Sequence, residues 1–525
     1  MKRIVTLLLI LLGLTAWRAW VVAHVQAGLQ VDEAQYWYWS EHLDWGYFSK
    51  PPGIAALIAL STRLFGDGLL GVKALAMLCY PLIGVVLFGW VREVLRDVSG
   101  PGAEPARAGQ LAALLFIGSP VAGLLGLAVT TDALLLLAWS LAAWALWRAW
   151  RDGRWRDWLL LGLWVGLGLL SKYTMGAFAV TALGFLFTAR READRAVPAT
   201  RGLPVAVLVA LACIAPNLLW NASLGWPTLA HTAEITVGAE ASNTWSTLGE
   251  FLGGLLLLIG PLVAVWAVAR AVRRPAQPTV VPGALPRRSA WLLALWLAAP
   301  MMLIGLAQSL HAKAQVNWTA PALIGLLLAA ALWLRAEQPA QRLRSLWVAL
   351  SLQVLLVGGI TLAQDVARLL DKPLPRNLDV WARMRGWEQA FAQLAPAAQA
   401  YWQRQQALDA SLPREVLGSN RTMVSHGAYA WRAFGPVWRA WREPGERAQD
   451  HYQLTVPLQP GGQPRPFLIV SEGPLQGSLR AALREAPQRL AVVDLEQTPG
   501  RWIHLELWAA VLAPQTSVAL HTVAP

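Results

Sequence analysis

The run LLGVKALAMLCYPLIGVVLFGWV, residues 69–91, decides the fold. Lys73 is the one charge in its 23 residues, and about 20 helical residues span the ~30 Å hydrocarbon core of a bilayer. Runs of the same kind recur on both sides of it. Their lengths predict helices near 4–23, 69–91, 109–127, 132–149, 157–172, 174–189, 203–220, 249–269, 289–309, 317–335 and 345–363. The expectation is a polytopic α-helical membrane protein of about eleven spans. Composition agrees: of 525 residues 56% are hydrophobic and 14% charged, against about 25% charged in soluble domains, and the mean hydropathy is +0.42. An ordinary soluble enzyme is excluded.

A formal charge of +13 would suggest nucleic acid in a soluble protein, so the placement of the basic residues decides its meaning. They crowd one set of alternate loops, from Lys2 and Arg3 through Arg148, Arg151, Arg190 and Arg191 to Arg342 and Arg344. The opposite set holds Lys50, Arg63, Lys73, Lys172 and Lys313. By the positive-inside rule this puts the N-terminus in the cytoplasm. The charge is then a topology device, and no nucleic-acid partner is expected. Met1-Lys2-Arg3 followed by Ile4 to Ala16 resembles a signal peptide without a convincing cleavage site, and reads as an uncleaved first span. Cys79 and Cys213 lie inside apolar runs with no metal spacing and read as core thiols.

After about Asp365 charges become frequent, Pro and Gly punctuate the chain, and no further run is long enough to span. The division expected is a membrane domain over 1–364, with an outer loop at 24–68, and a small α/β module over 365–525 on the extracytoplasmic side. An amphipathic helix is expected from Asp379 to Asp409. Strands are expected at 467–470, 490–493 and 503–508 by length and alternation.

The loop between the first two spans is the richest in chemistry. It reads Gln30-Val-Asp32-Glu33-Ala-Gln-Tyr36-Trp37-Tyr38-Trp39 and continues through Asp44-Trp45-Gly-Tyr47-Phe48-Ser-Lys50-Pro51-Pro52-Gly53. Trp and Tyr favour a membrane interface, which predicts a short interfacial helix after Asp32 and makes an aromatic belt the plain account. The chemical account is a carboxylate at the membrane edge acting as base on an acceptor hydroxyl or amine, with a cation stabilising a phosphate leaving group.

These residues resemble glycosyltransferase family 39 of the GT-C superfold, a group that includes protein O-mannosyltransferases, aminoarabinose transferases acting on lipid A and bacterial galacturonosyltransferases. The run Asp32-Glu-Ala-Gln-Tyr-Trp is most similar to the bacterial branch. Thr130-Thr-Asp132, Leu169-Leu-Ser-Lys172-Tyr and Gln315-Val-Asn317-Trp318-Thr-Ala-Pro321 look like further family segments, although Asn317 stands where His is frequent. The likeness covers roughly residues 25–325.

The resemblance implies a GT-C fold and inverting transfer from a polyprenyl-phosphate sugar to an extracytoplasmic lipid, glycan or protein acceptor, in a bacterial inner membrane. It makes Asp32 the candidate base or acceptor-orienting group, Glu33 its partner, and Lys50 and Lys172 candidate ligands of the donor phosphate. Asp132, Tyr36, Lys313, Asn317 and Trp318 are further candidates.

Plainer roles stand beside these. Asp132 could cap a helix, Lys172 could snorkel to the interface, and Lys313 could be a solvated charge. Arg18 would pack against an acidic loop residue rather than act in catalysis. No dense His, Asp or Glu spacing points to a tightly bound metal, which leaves a divalent ion at the phosphate open. The rival class is a lipid-linked sugar flippase or transporter, which needs ionisable residues or broken helices near mid-membrane and often a repeated half-structure. The charges here fall near span ends, and no repeat is evident. Sugar and acceptor identity are not legible in the sequence.

Overall fold

The computed structural model describes residues 2–25, 27–99, 104–189, 200–237, 244–271, 285–311, 316–334, 340–443, 445–458 and 465–511. The chain forms two compact units. One comprises residues 1–24 and 43–362, the other residues 25–42 and 363–525. The loop 24–68 is thus shared between them, its first part belonging with the C-terminal region.

The helices follow in chain order. They are α1 (Lys2–Val25), α2 (Val31–Glu41), α3 (Gly53–Phe65), α4 (Leu69–Val98), α5 (Pro105–Ile117), α6 (Pro120–Leu124), α7 (Thr131–Asp152), α8 (Trp155–Ser171), α9 (Ala177–Ala189) and α10 (Leu203–Ser223). Then come α11 (Pro227–Val237), α12 (Thr244–Ile259), α13 (Pro261–Ala271), α14 (Arg287–His311), α15 (Ala322–Leu334), α16 (Ala340–Leu369), α17 (Trp387–Leu408), α18 (Arg421–Ala430), α19 (His451–Thr455) and α20 (Gly477–Ala481).

Each of the eleven expected spans coincides with helix, but the count of eleven crossings is not confirmed. Among the described residues six helices, α1, α4, α7, α10, α14 and most of α16, are long and apolar enough to cross a membrane. Two bent pairs, α5 with α6 and α12 with α13, raise the number to eight. The expected spans at 157–172, 174–189 and 317–335 are the helices α8, α9 and α15, of 17, 13 and 13 residues. All three are shorter than the roughly 20 residues a perpendicular crossing needs. Apolar runs overcount crossings because a run does not show where its helix stops: α8 ends at Lys172, whose φ of −158° is extended. Residues 53–65, inside the expected outer loop, form the apolar helix α3.

The bends have local causes. Ser119 caps α6, its hydroxyl accepting from the Ala122 amide at 3.3 Å, and Pro120 follows at the first helical position, so α5 and α6 meet at 57°. At Gly260, φ is 102° and a Cβ would lie 1.9 Å from Gln353 Oε1, so only glycine fits the 90° corner before Pro261. Helices close up where small residues face each other. Gly162 and Gly166 on α8, four apart, meet Ala206 and Cys213 on α10, and a Cβ at Gly162 would lie 2.4 Å from the Ala206 carbonyl. At the far ends of α4 and α7, Glu93 and Asp97 take Arg148 and Arg151 in a network of ion pairs, with Glu93–Arg148 at 2.5 Å. Lipid-facing leucines such as Leu12, Leu208 and Leu355 are two-thirds or more exposed, as expected where hydrocarbon takes the place of water. Cys79 and Cys213 are both free thiols.

The second unit is built on a five-stranded sheet of order β2-β1-β3-β5-β4. Its strands are β1 (Glu415–Gly418), β2 (Val437–Ala440), β3 (Pro466–Ser471), β4 (Gln488–Thr498) and β5 (Arg501–Val511). β1 runs parallel to both β2 and β3, whereas β5 is antiparallel to β3 and β4. The last three are the strands expected from sequence. β1 and β2, four residues each, are too short to show alternation. On one face Leu417, Phe467, Ile469 and Ala510 form a core with Trp441, Leu458, Leu479 and Leu483. α17 buries Ala390, Phe391, Leu394 and Ala398 and starts at Trp387 rather than Asp379. The residues before it are turns pinned by Asp379, whose carboxylate accepts from Arg385 at 3.2 Å.

Candidate functional site

The second unit carries α2. Glu33 accepts from the Gln30 amide at 2.8 Å, closing a capping box that fixes where the helix starts. Asp32, one residue earlier, faces outward with its side chain about half exposed. It pairs with Arg421 at the start of α18, and the same guanidinium donates from Nε to Gln35 Oε1 at 2.8 Å. Arg421 was not foreseen: it lies almost 400 residues away in sequence, and a lone arginine in a basic chain gives no signal.

The aromatic run of α2 is buried in protein rather than laid out as an interfacial belt. Trp37 meets Tyr429 edge-on at 5.1 Å, Tyr38 meets Tyr452 at 5.0 Å, and Trp39 meets His451 at 5.3 Å. Tyr36, also buried, packs on Trp39 at 5.1 Å. Asp450 caps α19, accepting from the Gln453 amide at 2.9 Å, and so sets His451 and Tyr452 against α2. Burial holds the Tyr38 phenol up at about 12 and the His451 and His426 imidazoles down at about 3. All three are neutral near pH 7.

The membrane unit carries the other candidates. The segment Asp44–Lys50 is held down by α10 and α11. Trp220 Nε1 donates to Asp44 Oδ2 at 2.7 Å, Asn217 Nδ2 to the Trp45 carbonyl at 2.7 Å, and Thr228 Oγ1 to the Tyr47 carbonyl at 2.8 Å. The Tyr47 amide donates to the Lys50 carbonyl at 3.1 Å, closing a tight turn that leaves Lys50 half-buried ahead of Pro51 and Pro52. The next residue, Gly53, lies against α8: a Cβ there would be 2.7 Å from the Leu170 carbonyl. Sequence reasoning passed over Asn217, Trp220 and Thr228, whose partners in this segment are distant in the chain.

Lys172 follows directly after α8. Its ammonium donates to Asp132 Oδ1 at 2.7 Å, and Asn317 Nδ2 donates to Asp132 Oδ2 at 3.0 Å. Asp132 therefore ties three segments together at the start of α7 and does not cap that helix; Thr130 is at the cap position. Lys172 is nine-tenths buried and does not snorkel. Trp318 is half-buried in the turn next to Asn317. Lys313 lies outside the described residues. The partners of Arg18 are the Ile117 carbonyl and the Tyr80 ring rather than a carboxylate.

Comparison with known proteins now gives these constellations a context. Residues 49–220 match the family model described as dolichyl-phosphate-mannose-protein mannosyltransferase. A lipid A galacturonosyltransferase, RgtD, of Rhizobium johnstonii is 32% identical over 338 residues, 62% of this chain and 65% of that protein. The match thus spans just under two thirds of the relative's length. ArnT from Cupriavidus metallidurans superposes with a TM-score of 0.61 when bound to undecaprenyl phosphate, at 16% identity over 98% of this chain and 99% of that one. Its apo form gives 0.57 at the same identity, over 96% and 99%.

The fold is therefore that of a multi-pass membrane protein of the GT-C type. Within that class the likeness to glycosyltransferase family 39 holds in the matched segment, which opens one residue before Lys50 and takes in Asp132, Lys172 and Asn217 of α10.

Proposed function

We propose that this chain is an integral membrane inverting glycosyltransferase that moves a sugar from a polyprenyl-phosphate donor to an extracytoplasmic acceptor, with a lipid A-like glycolipid the favoured class. The observation that carries the reading is the Asp44–Lys50 segment. Three side chains of α10 and α11 hold it by hydrogen bonds, it ends in a half-buried lysine, and its last two residues begin the stretch matching a family of lipid-phosphate sugar transferases. The lipid A preference rests on the 32% identical relative.

In the proposed reaction the acceptor hydroxyl attacks the anomeric carbon from the face opposite the phosphate. Its proton passes to the Asp32 carboxylate, or Asp32 orients the hydroxyl. The bond from the anomeric carbon to the phosphate oxygen breaks, and the lipid phosphate leaves with one more negative charge. Lys50 stabilises that charge as a mobile ammonium. Asp132, itself held by Asn317, fixes Lys172, which shapes the wall of the membrane unit more than it follows a leaving group. Site, module and N-terminus are assigned by this reading to the extracytoplasmic, extracytoplasmic and cytoplasmic sides in turn.

The test is mass spectrometry of envelope glycolipids from cells with and without the protein, followed by transfer assays on purified Asp32→Asn and Lys50→Ala variants. A missing mass of one sugar, and a loss on the order of 100-fold or more in both variants, is the expected result. Accumulated unmodified precursor with no donor-dependent product in vitro would favour the flippase.

A further inference from the structure

α1 holds an arginine in its apolar stretch that the proposed chemistry does not use. Arg18 is 4% exposed. Its Nη2 donates to the Ile117 carbonyl at 3.4 Å, and its Cζ lies 5.9 Å from the Tyr80 ring centre. Its guanidinium also lies against Gly126, where a Cβ would come within 3.2 Å of Cζ. Nη1 is buried with no hydrogen-bond partner, and among the described residues no carboxylate pairs with Arg18. A guanidinium in a membrane helix is costly without a partner, and a buried unmet donor adds to it.

The guanidinium borders a recess between α1, the α5–α6 bend and α16. Leu14, Trp17, Ser119, Val357, Gly358 and Thr361 line it along with Arg18. The recess is about 380 Å³ including its open mouth and narrows inside to room for one or two waters or the oxygens of an anionic group, not a sugar. None of Lys50, Asp132 and Lys172 lines it.

Its level in the bilayer is marked on α1 itself. Trp17 and Trp20 are 38% and 45% exposed and stack at 5.1 Å, and Trp20 stacks on His24 at 4.6 Å. Exposed tryptophans of a spanning helix sit at the headgroup level. Arg18 lies seven residues, roughly 10 Å of helix, from the end of α1 at Val25.

We propose that this recess binds the phosphate of an anionic membrane phospholipid through Arg18, with the acyl chains lying along the apolar faces of α1 and α16. The planar guanidinium supplies the charge-assisted hydrogen bonds that phosphate accepts, and the lipid supplies the counter-charge that the protein lacks here. The bound lipid would seal the gap that the bend leaves beside α16.

The test uses the full chain in phosphatidylcholine nanodiscs with and without phosphatidylglycerol. Thermal melting and native mass spectrometry of lipid retained after detergent washing provide the readouts. The wild type is expected to keep phosphatidylglycerol at least tenfold over phosphatidylcholine and to melt several degrees higher with it. Arg18→Gln and Gly358→Leu should each lose that preference. The second variant fills the recess from α16 and keeps the guanidinium, and a Cβ at Gly358 meets only Trp17, at 3.8 Å; it decides alone if the first does not fold. A wild type without preference, or variants that keep it, would overturn the proposal. So would the same melting shift from inorganic phosphate added to phosphatidylcholine discs, because the ligand would then be the free anion.

Discussion

Asp132 and Lys172 in the membrane unit and Asp32 and Arg421 in the second unit are both carboxylate–cation pairs, with opposite exposures. The side chains are 2% and 10% exposed in the first pair and 49% and 37% in the second. In the first pair both carboxylate oxygens are taken, one by Lys172 and one by Asn317. A buried pair of that kind is costly to break because the survivor is left charged and dry. An exposed pair contributes about 0–1 kcal/mol and opens readily. The family resemblance pointed to both acids; in the structure Asp132 is buried with both oxygens bonded, whereas Asp32 stands half exposed.

The strongest way to break this contrast is Lys172→Met. Removing one partner of the buried pair should cost about 3–5 kcal/mol, read as a lowered melting temperature in detergent and reduced yield. A variant with unchanged melting would show that Asp132 does not depend on Lys172. Asp32→Asn should do the reverse, lowering transfer about 100- to 10,000-fold with melting almost unmoved. Wild-type turnover in that variant would remove the base assignment.

Arg421→Gln sharpens the comparison on the exposed side. Stability should change by less than about 1 kcal/mol, whereas turnover should fall by up to about tenfold as α2 loses the fork that joins Asp32 to Gln35. Arg421→Lys should not restore it, because one ammonium cannot reproduce two fixed donors. Equal activity in all three proteins would make the pair incidental.

A further effect is on acid tolerance. Burial lowers His426 and His451 from the usual 6.5 to about 3. Between those values the unfolded chain binds protons that the folded chain does not. Stability is therefore full above pH 6.5 and falls as the pH drops towards 3, on the order of 1 kcal/mol per pH unit for each histidine. Melting of the protein followed from pH 7.5 to 5 should show this fall. His426→Phe, which keeps an aromatic ring on Trp387 in place of the imidazole stacked there at 4.2 Å, should reduce it by about half.

Much of this was legible in the sequence. Apolar runs located every helix bundle element named from them, because hydrocarbon solvent forces such runs into helix. They did not fix the number of crossings, since helix ends at Lys172 and the corners at Ser119 and Gly260 depend on capping and on space left by a neighbour. The run Asp32–Trp39 pointed to the site segment and its helix, yet its aromatics read as an interface belt. Their burial against Tyr429, His451 and Tyr452 rests on partners about 400 residues away.

Length, hydropathy and loop charge by themselves determined that this is a multi-pass helical membrane chain with a C-terminal α/β module, since solvent exclusion acts on every run independently of its neighbours. Tertiary structure alone decided that Asp132 is locked and Asp32 is exposed, that α2 belongs with the C-terminal unit, and that Arg18 has no carboxylate partner among the described residues. Exposure and pairing are properties of the space around a side chain, and that space is made by residues the local sequence does not contain.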